Sequence, residues 1–122
     1  MISITLPYPP SVNHYWRQFR GRAILSAKGR AYRVAVLAAV LEAGRPRVEG
    51  RLSIEIRLTM PDRRKRDLDN VQKAILDGLG HAGVYEDDSQ IDRILVERGA
   101  VDPPGCANVT LTEIREGSRS HG

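Results

Sequence analysis

Cysteine is almost absent. Cys106 stands alone, so no intramolecular disulfide can form, and the three histidines, His14, His81 and His121, fall at no spacing that would build structural zinc with it. Long apolar runs are also missing. No stretch approaches the roughly 20 residues a membrane helix needs, and Met1-Ile2-Ser3-Ile4-Thr5 is not a basic leader followed by an apolar segment, so a soluble, cytoplasmic chain without membrane contact is expected. Aromatics are scarce, at one Trp, one Phe and four Tyr. The most informative absence is of negative charge at one end. Residues 1 to 41 hold six bases and no acid, leaving 13 bases against 15 acids for the remainder. A field of one sign concentrates polyanions, of which nucleic acid is the commonest; a basic surface kept for solubility is the competing explanation.

What is present describes one folded unit. At 41% hydrophobic and 28% charged residues, a chain of 122 has an ordinary globular composition and the length of a single domain, residues 1–122, with 115–122 read as a flexible tail. Ile2 to Leu6 alternates as a half-buried strand, stopped by Pro7, Pro9 and Pro10. Tyr8 to Lys28 shows little periodicity and reads as a long ordered loop carrying Tyr8, Tyr15, Trp16 and Phe19. Ser26 is placed to cap a helix reaching Ala43, where Gly44 and Pro46 end it. That helix is apolar around its whole circumference from Val34 to Leu41, which predicts cover by a second subunit and hence a homodimer, a fully internal helix being the alternative.

Leu52 to Leu58 alternates as a second strand, followed by the basic connector Met60 to Arg66. A second helix is expected from Asp69 to Ala82, closed by Gly83, then strands at Ile91 to Glu97 and Asn108 to Ile114 around the turn Asp102-Pro103-Pro104-Gly105. The predicted order is β-α-β-α-β-β. It describes an α+β domain with a mixed or mostly antiparallel four-stranded sheet and two helices.

The acids around the second helix are the sharpest chemical feature. Asp67 and Asp69 stand two apart where an extended connector meets a helix, so both carboxylates can point the same way. Lys73 follows one turn along the face of Asp69, and Asp77 another turn further. Glu86-Asp87-Asp88 then sits in a turn just before a strand. Carboxylates with water suit Mg²⁺ or Mn²⁺, and acids beside Arg63, Arg64, Lys65 and Arg66 match phosphodiester hydrolysis: cations hold the diester while the acids hold a metal that activates water. Lys73 would neutralise phosphate charge. A structural reading stands beside this one. Asp69 can be an N-cap, Asp67 can pair with Arg64 or Arg66, Asp69 with Lys73 is an ordinary ion pair, and the three acids can be a solvated turn.

Taken together, the segments resemble a known family. Arg66-Asp67-Leu68-Asp69-Asn70 with Lys73 and Asp77, then Tyr85-Glu86-Asp87-Asp88-Ser89-Gln90, and the opening Leu6-Pro7-Tyr8-Pro9-Pro10-Ser11 leading to Asn13, Tyr15, Arg17, Gly21-Arg22 and Ser26, closely resemble the RusA family of Holliday-junction resolvases. The resemblance implies a homodimeric, Mg²⁺- or Mn²⁺-dependent crossover junction endodeoxyribonuclease that places paired nicks in four-way branched DNA during recombination and repair. It implies Asp67, Asp69 and Asp88 as the catalytic metal ligands, Asp87 as a further ligand or a turn-former, and Lys73 as the catalytic lysine. Asp77 would pair with a base such as Lys73, and Asn13 would hold the loop or touch DNA.

The basic, aromatic segment completes the expected site. Arg17, Arg20, Arg22 and Lys28 are read as DNA contacts together with the connector's Arg63, Arg64, Lys65 and Arg66. Tyr15, Trp16 and Phe19 either stack on opened bases or anchor the loop to the core, Phe19 being the better wedge. Two rivals remain at this point: a branched-DNA-binding module without catalysis, and a nuclease that prefers flaps or single strands.

Overall fold

Apolar alternation builds the sheet, and the computed structural model, which describes residues 1 to 114, shows how it is ordered. Strand β1 (Ile2–Pro7) comes first, followed by one helical turn, α1 (Val12–Tyr15), and two short strands, β2 (Trp16–Phe19) and β3 (Arg22–Leu25). Helix α2 (Ala27–Glu42), strand β4 (Leu52–Met60) and helix α3 (Asp69–His81) come next. A 3₁₀ turn at Asp88–Gln90 leads into β5 (Ile91–Val101), and β6 (Cys106–Glu113) ends the fold. The main sheet has the order β1-β6-β4-β5, with β4 and β5 parallel and the other neighbours antiparallel. This is the mixed sheet of an α+β domain. The tail expected at 115–122 lies outside the described residues.

β4 is central because every second residue can be buried: Leu52, Ile54, Ile56, Leu58 and Met60 all point into the core. Its parallel partner β5 cannot follow through a hairpin, so the chain must cross over, and α3 is that crossover. α3 buries Val71, Ile75 and Leu79 as its spacing predicts, and leaves its opposite face to solvent. β5 runs four residues beyond the predicted Glu97, to Val101, as an edge strand that exposes Ile94 and Val101.

One expectation changes, and for α2 the alternative of a fully internal helix falls. The long loop predicted from Tyr8 to Lys28 contains α1 and the β2–β3 hairpin, which form a separate two-stranded sheet. Its strands are four residues each, too short to show a period, and the turn is made by Arg20 and Gly21, both at positive φ (51° and 75°), the geometry of a two-residue hairpin. Helix α2 has the predicted Ser26 cap, whose hydroxyl accepts from Gly29 N at 3.0 Å. It is not internal. Tyr32, Val36 and Val40 are buried, whereas Val34 (68% exposed), Leu37 (38%) and Leu41 (44%) form an uncovered apolar stripe. Gly29 has a specific reason: a Cβ there would lie 2.5 Å from the Tyr15 carbonyl oxygen, so only glycine lets α1 sit on α2.

Candidate active site

The connector from β4 to α3 and the turn from α3 to β5 lie at opposite ends of α3, a 13-residue helix and so about 20 Å long. Each segment is braced by a polar side chain other than Asp67, Asp69 and Asp88, the exposed acids left unengaged among the described residues. In the connector, Asp62 accepts from the Arg64 backbone N (3.0 Å) and takes Arg66 in a two-point ion pair (2.7 and 3.2 Å). The Arg66 guanidinium lies over the Tyr8 ring at 5.7 Å, and its carbonyl accepts from Arg98 Nη2 at 2.6 Å. The Arg66 hydrogen bond, ahead of the one from the Arg64 backbone N–H, holds the Asp62 carboxyl below the usual carboxylate range. Neither Arg64 nor Arg66 engages Asp67. Asp67 is exposed, and no hydrogen bond or ion pair occupies its carboxylate among the described residues.

Asp69 is likewise exposed and unpaired. It does not cap α3: the N-cap position is Leu68, without a side-chain cap. Lys73 is exposed one turn on and forms no ion pair among the described residues, although Asp77 stands four residues away. Asp77 is engaged elsewhere. Arg33 of α2 grips it with Nε at 2.8 Å and Nη2 at 3.0 Å, and the Tyr15 hydroxyl donates to it in a very short bond. Burial pushes the Asp77 carboxyl up, but the Arg33 and Tyr15 bonds outweigh it and hold the group below the ordinary range. Burial, then the bond to Asp77, pushes the Tyr15 phenol up to about 12. The pairing of Asp77 with Lys73 expected from helical spacing is thus replaced by a tertiary one that frees the lysine.

The turn follows the same plan with neutral partners. Gln90 Oε1 accepts from the backbone N of Glu86 (2.7 Å) and Asp87 (3.0 Å), while its Nε2 donates to the carbonyls of Val48 (3.0 Å) and Gly50 (2.9 Å). Asp87 closes the turn, its Oδ1 accepting from Ser89 N at 3.2 Å. Glu86 faces Arg47 at 3.9 Å. Asp88 is exposed and has no partner among the described residues. Lys73, Asp87 and Asp88 border one groove of about 750 Å³ along α3, and Asp67 borders another with Asn13 and Asn70. Among the described residues no three His, Cys, Asp or Glu side chains are gathered as a metal cage.

The matches to known proteins follow this pattern. The family model for the endodeoxyribonuclease RusA matches residues 7–111. The chain is 45% identical over 116 residues to the crossover junction endodeoxyribonuclease RusA of Escherichia coli strain K12, covering 92% of this chain and 94% of that protein. It is 43% identical over 110 residues to the namesake of Enterobacteria phage HK97, covering 89% and 92%. This chain belongs to the RusA family.

The remaining positions of the RusA motifs divide into those the fold leaves accessible and those it consumes. Arg17, Arg20, Arg22, Lys28, Arg63, Arg64 and Lys65 are exposed, and Arg66 is half-buried in its pair with Asp62. Phe19 ends β2 at 49% exposure, with the guanidinium carbons of Arg17 and Arg20 at 5.4 and 5.3 Å from its ring centre. Tyr15 was expected among the DNA contacts, yet it is fully buried with its hydroxyl on Asp77. It is an anchor, because α1 turns the ring inward against Tyr32. Sequence reasoning gave no role to Asp62, Arg33, Arg98 or Gln90. Gln90 alone carried a signal, standing two residues after Asp88 in the motif.

Proposed function

We propose that this chain, a single domain, is a divalent-metal-dependent endodeoxyribonuclease that resolves four-way DNA junctions as a homodimer. One observation carries the reading: among the described residues, acids with structural work (Asp62, Asp77, Asp87) are committed to partners, while Asp67, Asp69, Asp88 and the base Lys73 are exposed and committed to none. Holding like charges free on a surface gains no stability. It serves a ligand that brings opposite charge.

Hard carboxylate oxygens set apart from one another suit Mg²⁺, which takes one or two carboxylates and keeps the rest of its shell for water and phosphate oxygens; Mn²⁺ suits the same donors. Asp67, Asp69 and Asp88 are the residues that would hold it. The metal, when bound, makes water nucleophilic near neutral pH. The water oxygen forms a new bond to phosphorus, the bond to one sugar oxygen breaks, and that oxygen takes up a proton. Lys73 holds its ammonium against the negative charge that accumulates on the phosphoryl oxygens. Asn13, Lys65 and Arg66 flank Asp67 and bind the adjoining backbone, with Arg63 and Arg64 extending the cationic track.

The uncovered stripe Val34, Leu37 and Leu41 supports the homodimer, since a second copy would bury it and supply the second cut. Among the described residues no helix is long and apolar enough to cross a membrane. The test is incubation of a labelled four-way junction and its linear duplex with the protein, in Mg²⁺ and in EDTA. Symmetric, Mg²⁺-dependent nicking of the junction alone is expected, and Asp69→Asn should bind without cutting. Tight binding with no cleavage in Mg²⁺ or Mn²⁺ would leave a branched-DNA-binding module instead.

A further inference from the structure

The groove along α3 holds more than charge. Trp16 borders it beside Gln72, Lys73 and His81, and its ring is half-buried, packed on the core on one side and facing the groove on the other. The Tyr15 ring meets it edge to face, at 5.2 Å and 75°. Tyr15 is in turn fixed by Asp77, and Asp77 by Arg33, so three elements hold the indole in one attitude. The Trp16 indole N–H, the Gln72 amide and the His81 ring make no hydrogen bond among the described residues, and His81 stands within electrostatic reach of Asp77. A rigid aromatic wall, unpaired polar groups and a free ammonium within one groove of about 750 Å³ make a recognisable chemical combination.

We propose that this groove receives one unpaired nucleobase adjoining the phosphate that is cut, stacked on Trp16 with its edge toward Gln72 and His81. The proposal rests on the endonuclease reading above and specifies part of its substrate. Only a base out of its helical stack offers a free face to an indole, and a junction crossover supplies such bases where linear duplex does not. Lys73 lines the same groove, so a phosphate held by its ammonium would bring an adjoining nucleotide into the space that Trp16 borders. The Tyr15–Asp77–Arg33 chain is then a set of positioning residues that keeps the stacking surface from collapsing against α3.

Trp16 is the only tryptophan in the chain, so its fluorescence reports this ring alone. The Asp69→Asn protein would be titrated with a four-way junction in Mg²⁺, binding being followed independently by anisotropy of a labelled arm. Emission should fall about twofold as the junction saturates and stay unchanged with linear duplex, and an abasic nucleotide beside the nicked phosphate should restore it with binding retained. Trp16→Leu in the same background should weaken junction binding about tenfold, with Trp16→Tyr recovering most of it. Unchanged emission on a junction that anisotropy shows to be bound, or quenching that no abasic position relieves, would overturn the base pocket and leave the endonuclease reading intact. Absence of junction binding by the unsubstituted protein would overturn the endonuclease reading, and the pocket with it.

Discussion

The two segments that present free acids are held by different physics. The connector before α3 is braced by charge: Asp62 against Arg66 and Arg64, with Arg98 on a carbonyl. The turn before β5 is braced by a neutral amide, Gln90, which satisfies two backbone N–H groups and two carbonyls at once. Charge pairs near the surface lose strength with salt and contribute little, whereas half-buried amide bonds to backbone are insensitive to salt and leave several groups unsatisfied when removed. The connector is therefore the adjustable half of the site and the turn the fixed half. A segment that must follow a DNA backbone benefits from the first arrangement. A segment that must return one carboxylate to the same place benefits from the second.

The largest expected effect removes the distinction by deleting what both segments present. Asp67→Asn, Asp69→Asn or Asp88→Asn should each lower the single-turnover cleavage rate by on the order of a thousandfold or more, with junction binding equal or tighter. A variant that cut at the wild-type rate would strike its residue from the site.

Next come the braces. Gln90→Ala should cost about 2 kcal/mol in urea unfolding at any ionic strength, because four backbone groups lose their partner. Asp62→Asn should instead leave unfolding almost unchanged while slowing cleavage a few-fold at low salt, the difference closing as salt rises. Equal salt dependence for the two variants would erase the contrast between the segments.

The smallest effect concerns the third brace, the Asp77 pair, which is charged like the connector but partly buried like the turn. Its carboxyl titrates lower in the folded chain than in the unfolded one. The stability it contributes is thus complete above the unfolded value of about 4 and is lost as pH falls through the folded value. Asp77→Asn should flatten that acid limb in a series of thermal melts, and an unchanged limb would assign it to other carboxylates. Asp62 shifts in the same direction and leaves a residual slope.

Much of this was legible before the fold. The periods of β1, β4 and α3, the Ser26 cap and the Gly83 stop depend on neighbours a few residues apart, and so do the motif positions of Asp67, Asp69, Lys73 and Asp88. Even the uncovered face of α2 was visible as an apolar circumference too large for one small chain to bury. The β2–β3 hairpin was not legible, since four-residue strands carry too little pattern.

Which acids are free was beyond the sequence as well. Helical spacing offered Asp77 to Lys73, and only the packing of α2 and α1 on α3 gave it Arg33, 44 residues away, and Tyr15, 62 residues away. Local patterning by itself determined the longer elements and the residue types standing at the motif positions, because helix, strand and cap energies are short-ranged. The tertiary structure decided which charges are spent on holding the fold and which are left for a substrate, because an ion pair forms with whatever partner the packing brings near.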